Sequence, residues 1–263
     1  MIPRAFITEW SQYVLWKSNE QVELDLLICR ALVEIFSNEW LASRLAFRGG
    51  TALHKLYLSP QPRFSEDIDL VQVRAEPIKE TVQRLQYALS FLGVSTVKPR
   101  RDGTQIICRF ESEFPPVQKL RLKVETNTRE HFTVLGLQKI PFNVKSSWFS
   151  GACELTTYRL EELLGTKLRA LYQRRKGRDL YDLFIALTHK PALDKDALLH
   201  CYRQYITFSV DNPPSQKEFI LNLEAKIQDP EFLGDTTALL RPDIPYNPHE
   251  AHEVVRAELI ERI

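Results

Sequence analysis

The stretch from Phe47 to Leu70 constrains this chain more than any other. Phe47-Arg48-Gly49-Gly50-Thr51-Ala52-Leu53-His54-Lys55 is followed, after Ser59-Pro60-Gln61-Pro62, by Arg63-Phe64-Ser65-Glu66-Asp67-Ile68-Asp69-Leu70. Leu45-Ala46-Phe47 is a short apolar run ended by the glycines, and Thr51 stands where a helix cap belongs, ahead of Ala52–Leu58. The local pattern is strand, glycine turn, helix. Pro60 and Pro62 end that helix, because proline removes a backbone donor and disfavours helix at the residue before it. Ile68 to Val73 then reads as a strand, with Asp67, Asp69 and Val71 on one face and Ile68 and Leu70 on the other.

Each half of this stretch has a chemical reading and a plain one. Glycines at 49 and 50 admit a ligand close to the backbone, and the start of a helix offers free N–H groups to a phosphate; alone, a tight turn is the simpler account. Two carboxylates at i and i+2 of a strand point the same way, with Cα atoms about 6–7 Å apart, and suit a hard cation such as magnesium. Alone they are equally well two solvated acids on an edge strand. Sequential strands are usually neighbours, so the pair together predicts acids lying beside the glycine turn.

The rest of the chain predicts an α+β fold. Helical spacing covers residues from about Ile7 to Trp16, from Val22 to Phe36, where Leu24, Leu27, Ile28, Ala31, Leu32 and Ile35 form one stripe, and from Glu76 to Leu92. Strands are expected at Gln105–Phe110 and Leu120–Thr126, and short strands and turns between His131 and Cys153. From Thr157 onward the pattern is helical, broken at Gly177, Pro191, Asn212-Pro213-Pro214 and Pro242. The expected organisation is a mixed sheet with flanking helices over 1–155 and a mainly helical domain over 156–263.

Four residues outside the opening stretch stand out. In Leu120–Thr126 the apolar Leu120, Leu122 and Val124 alternate with Arg121, Lys123 and Glu125, so Glu125 projects from the opposite face, either as a third carboxylate of the site or in a cross-strand salt bridge. On the helix from Tyr158 to Gln173, Lys167 falls about 20° from Leu160, within the stripe of Leu163, Leu164, Leu168 and Leu171. A lysine there must snorkel, pair with a buried acid, or reach into a cleft. Asp179 and Asp182 share a face of the next helix, where acids in a first turn are also favoured by the helix dipole alone.

The order of glycine turn, helix and Asp-x-Asp is similar to that of the nucleotidyltransferase superfamily, with Gly50-Thr51 in place of the usual glycine-serine. Arg48-Gly49-Gly50-Thr51-Ala52-Leu53, Arg63-Phe64-Ser65-Glu66-Asp67-Ile68-Asp69-Leu70, Lys167-Leu168-Arg169-Ala170 and Arg178-Asp179-Leu180-Tyr181-Asp182-Leu183 resemble the AbiEii nucleotidyltransferase toxins in particular. The resemblance implies a nucleotidyltransferase-type fold and a nucleoside triphosphate substrate with two magnesium ions. On the metal side it implies Asp67, Asp69 and Glu125, although the family more often has aspartate at the last position. On the nucleotide side it implies Gly49, Gly50, Thr51, Lys55, Ser65, Lys167, Asp179 and Asp182. It further implies the toxin of a toxin–antitoxin or abortive-infection pair, a separately encoded antitoxin, and an RNA acceptor, the acceptor end of transfer RNA in some members. A nucleotide or RNA binding module without turnover, and a metal-dependent phosphodiesterase, are the alternatives.

Composition narrows the partners only a little. The chain holds 35 Lys and Arg against 34 Asp and Glu, so any hold on nucleic acid must come from local patches. Candidates are Lys98 with Arg100 and Arg101, then Lys119, Arg121 and Lys123, then Arg174-Arg175-Lys176-Gly177-Arg178, each more simply read, taken alone, as a solvated face. Cys29, Cys108, Cys153 and Cys201 lack the paired spacing of a zinc or redox motif, and the histidines form no ligand set. No stretch has the length of a membrane span, and a cytoplasmic protein is expected.

Overall fold

In the computed structural model, which describes residues 2–263, the chain divides into two units, Met1–Phe132 with Leu137–Tyr158, and Thr133–Gly136 with Arg159–Ile263. The first opens with helices α1 (Arg4–Trp10), α2 (Asn19–Phe36) and the single turn α3 (Glu39–Ala42). Ser18 caps α2 by accepting the Gln21 N–H at 3.3 Å, and Leu27, Ile28, Ala31, Leu32 and Ile35 are fully buried along one stripe. Next come β1 (Leu45–Arg48), α4 (Gly49–Leu56), β2 (Asp67–Gln72) and α5 (Ile78–Ala88). Strands β3 (Ser95–Arg100), β4 (Gly103–Glu111), β5 (Lys119–Asn127), β6 (Leu137–Lys145) and β7 (Ser150–Tyr158) complete the unit.

The described strands form one mixed sheet in the order β3-β4-β5-β2-β1-β7-β6. β2 runs parallel to β5 and β1 parallel to β7, while the other neighbours are antiparallel. β1 is an interior strand covered on both faces, so Leu45, Ala46 and Phe47 are all fully buried, as the unbroken apolar run requires. Register then aligns the polar residues. Arg48 lies opposite Asp69, Asp69 opposite Glu125, and Glu125 opposite Gln105. Directly paired residues project to the same side of a sheet, so these four make one row across β1, β2, β5 and β4.

Three local expectations are corrected. Thr51 is not the helix cap: α4 starts at Gly49, with Arg48 at the cap position and no side-chain cap bond. Gly49 has φ +78°, which lets strand turn into helix with no spare residue, so Thr51 falls inside the first turn. In place of short pieces between 131 and 153 the chain forms two nine-residue strands that run on to Tyr158, and β3 is a strand that hydrophobic alternation does not reveal. Five of its six residues are exposed at the sheet edge, so it has no apolar face to read.

The second unit contains α6 (Leu160–Gln173), α7 (Gly177–His189), α8 (Lys195–Ser209), α9 (Gln216–Lys226), α10 (Pro230–Gly234) and α11 (Pro248–Glu258). α6 packs on α7 and α8. Gly165 permits the second contact, because a Cβ there would stand 2.7 Å from the Cys201 Cβ and 2.9 Å from the Tyr202 nitrogen. The segment 133–136 is fastened to α6 by the buried Glu162. This carboxylate accepts from the Thr133 hydroxyl, the Val134 and Leu135 N–H groups and the Tyr205 hydroxyl at 2.7–2.9 Å. Cys29, Cys108 and Cys201 are buried free thiols, and no helix among the described residues is long and apolar enough to cross a membrane.

Candidate active site

The site is built on the first residues of β2 and the start of α4. A Cβ at Gly49 would stand 2.0 Å from the Asp69 Oδ2, so the Asp69 carboxylate rests directly against the glycine backbone. Asp67, on the same face, pairs with Lys123 at 3.2 Å. Glu125 accepts a hydrogen bond from the Gln105 amide, whose oxygen in turn accepts from Arg100 at 2.6 Å, fixing the carboxylate from two strands away. At the other end of the row Arg48 is ion-paired with Glu130. Burial alone would lower the Arg48 pKa, but Glu130, with smaller contributions from Tyr158 and Asp69, outweighs it and holds the guanidinium above its ordinary value. Arg48, Asp69 and Glu125 line a cleft of 430 Å³ whose far wall is the β3–β4 hairpin at Arg100–Thr104.

Oxygen ligands on one strand face match a hard cation. Among the described residues no three His, Cys, Asp or Glu side chains stand together as a ready metal cage. Magnesium ordinarily takes only one or two protein carboxylates and completes its shell with water and substrate phosphates, so Asp67 and Asp69 fit it. The Lys123 ammonium beside Asp67 shows that this position already attracts a cation.

The remaining sequence candidates are distributed as follows. Gly50 is buried in the first turn of α4. The buried Thr51 hydroxyl donates to the Asp67 carbonyl and lies 2.8 Å from the Ser65 hydroxyl, which ties α4 to the start of β2. Lys55 is committed inside the unit, donating to Asp25 at 3.0 Å and to the Cys29 sulfur at 3.2 Å. Lys167, Asp179 and Asp182 come together in the second unit, with the Lys167 amine 3.1 Å from Asp179 and 2.7 Å from Asp182. Burial alone would raise the Asp179 pKa; Lys167 and Arg174 together hold it below the usual carboxylate range. Sequence reasoning assigned no role to Gln105, Arg48 or Glu130. Register alone brings the first two into the row, and no local spacing signals a partner 82 residues from Arg48.

A model of the nucleotidyl transferase AbiEii toxin family, of type IV toxin–antitoxin systems, matches residues 30–257. The chain belongs to this family. It is therefore an AbiEii-family nucleotidyltransferase toxin, and the family implies a nucleoside triphosphate substrate and a separate antitoxin. A search of curated proteins finds no match. Among solved structures the AbiEii chain is similar to the MenT4 nucleotidyltransferase toxin of Mycobacterium tuberculosis, at 16% identity and TM-score 0.64, over 100% of this chain and 91% of that one. It is also similar to JHP933 of Helicobacter pylori, at 20% identity and TM-score 0.60, over 93% of each chain. A putative nucleotidyltransferase of H. pylori matches at 20% identity and TM-score 0.57, over 93% of this chain and 96% of that one. At these identities the likeness establishes the α+β fold of the AbiEii chain, while its family match carries the activity.

Proposed function

We propose that the protein moves a nucleoside monophosphate from a nucleoside triphosphate to a hydroxyl of an RNA, with magnesium at Asp67 and Asp69. The observation that carries the reading is the contact of the Asp69 carboxylate with the Gly49 backbone. A triphosphate lying on the N-terminal turn of α4 would reach the carboxylate pair at the same time. When bound, magnesium would neutralise phosphate charge and polarise the α-phosphate. Gly49 and Gly50 admit the phosphates to the backbone, and Thr51 with Ser65 holds that turn against β2. Glu125, oriented by Gln105 and paired in register with Asp69, would assist one of the metal ions. The new O–P bond forms at the α-phosphorus as the bond to pyrophosphate breaks, and the hydroxyl proton passes to solvent. Positioning and charge neutralisation suffice, and no covalent nucleophile is needed.

The buried Lys167, held by Asp179 and Asp182 within the second unit, is a separate candidate for holding phosphate. It would exchange a carboxylate for a phosphate oxygen, and Asp179 would keep Arg174 as counter-ion at 2.6 Å. The test is incubation of the purified protein with each radiolabelled nucleoside triphosphate, cellular RNA and magnesium. Label is expected in RNA, and chelation of the metal should abolish it. Transfer that persists in excess chelator would remove the metal from the mechanism, and no transfer with any of the four nucleotides would remove the reading.

A further inference from the structure

The proposed reaction leaves unassigned the far wall of the cleft, the hairpin that joins β3 to β4. Strand order sets out the geometry: α4 begins at the end of β1, Asp69 is on β2, Glu125 is on the next strand β5, and the hairpin lies beyond, one to two strand spacings or about 5–10 Å to the side of Glu125. The hairpin is also displaced along the strands. Gly103 pairs with Asn127 and so with the level of Val71, whereas Gly49 follows Arg48 past the level of Asp69 in the opposite direction. The two anion-attracting features of the unit, the first turn of α4 and the arginines of the hairpin, therefore flank the carboxylates on opposite sides.

In-line displacement at phosphorus brings the acceptor in on the side opposite the leaving group. If pyrophosphate departs along the start of α4, the acceptor strand must approach over the hairpin. We infer that the β3–β4 hairpin is the acceptor subsite, Arg101 at its tip and Arg100 beside it binding a backbone phosphate of the RNA strand whose hydroxyl is being extended. This rests on the transfer reaction proposed above. The hairpin is built as a fixed wall. The Asp102 carbonyl accepts the Thr128 N–H at 2.9 Å, and a Cβ at Gly103 would meet the Thr126 carbonyl oxygen at 1.9 Å. The one acid of the turn, Asp102, has Arg129 at 3.7 Å. Arg100 is oriented by its bond to Gln105, while among the described residues none hydrogen-bonds or ion-pairs with the exposed Arg101 guanidinium.

The test separates acceptor binding from donor binding in the full-length protein. Unfractionated transfer RNA, fluorescently labelled, is titrated into wild type, Arg101→Ala, Arg101→Lys and Arg101→Glu over a range of salt concentrations. Nucleoside triphosphate binding with magnesium is measured separately by calorimetry. Arg101→Ala should weaken RNA binding about tenfold and reduce the slope of log affinity against log salt by about 0.7, the value of one single-strand phosphate. Arg101→Glu should weaken it further, Arg101→Lys should keep the slope, and triphosphate affinity should stay within about twofold throughout. An unchanged RNA affinity in Arg101→Glu would overturn the inference, and so would a selective loss of triphosphate binding, which would give the arginine to the donor. RNA binding is read without turnover, so a wild type that binds RNA through Arg101 yet transfers no label would sink the transfer reading and leave the hairpin an RNA-binding surface, not an acceptor subsite.

Discussion

Asp69 is fixed on one side by the Gly49 backbone and on the other by strand register with Glu125. Gly49→Ala should therefore act on the carboxylate. The new methyl would coincide with the Asp69 Oδ2, and φ +78° adds about 1–2 kcal/mol of backbone strain, so a lower melting temperature and near-complete loss of transfer are expected together. A variant that transfers normally would show that Asp69 need not lie against the turn. Lys167 poses a different test, since its removal strands two buried carboxylates. Lys167→Met should destabilise the fold by about 3–5 kcal/mol in urea unfolding, the usual cost of breaking a buried pair. Folded Lys167→Arg should show a raised KM for the triphosphate if the amine meets phosphate, and an unchanged KM would confine Lys167 to packing. The alternation of Leu120–Thr126 correctly showed the face of Glu125. Its Gln105 partner was illegible, because a cross-strand neighbour is set by register and not by spacing in sequence.

At the scale of elements, what could be read was what is locally encoded. β1, α4 and β2 were marked by an apolar run, two glycines and two prolines, each acting within a few residues of itself. β3 and the β6–β7 hairpin were not, since β3 is almost wholly exposed and β6 and much of β7 are half exposed, so neither shows a clear apolar face. The loop between β4 and β5 is held to α2 by the buried Glu23, which accepts the Glu113 N–H at 3.1 Å. Burial pushes the Glu23 pKa from 4.5 up to about 7. A carboxyl of this kind binds its proton more tightly folded than unfolded, so its contribution is complete below pH 4.5 and is lost as the pH rises through about 7. Urea midpoints of wild type should fall relative to those of Glu23→Gln between pH 5 and 8, and parallel curves would show that Glu23 does not titrate in that range.

On the scale of the whole molecule, a chain with 35 basic and 34 acidic residues has no overall attraction for nucleic acid. Its chemistry must depend on a few local arrangements, and the family match over residues 30–257 makes that chemistry nucleotidyl transfer. Within the sheet unit one row of side chains runs from Arg48 through Asp69 and Glu125 to Gln105, and the second unit has its own buried Lys167–Asp179–Asp182 group. The carboxylate pair is the proposed meeting place of metal and triphosphate. The direct measurement is transfer of labelled nucleotide to RNA by wild type and by Asp69→Asn, which keeps the shape of the side chain and removes its charge. Asp69→Asn should lose at least about 100-fold in kcat with an unchanged melting temperature, the scale seen when one charge-stabilising group is removed. Equal transfer by Asp69→Asn would contradict the proposed role of the carboxylate pair.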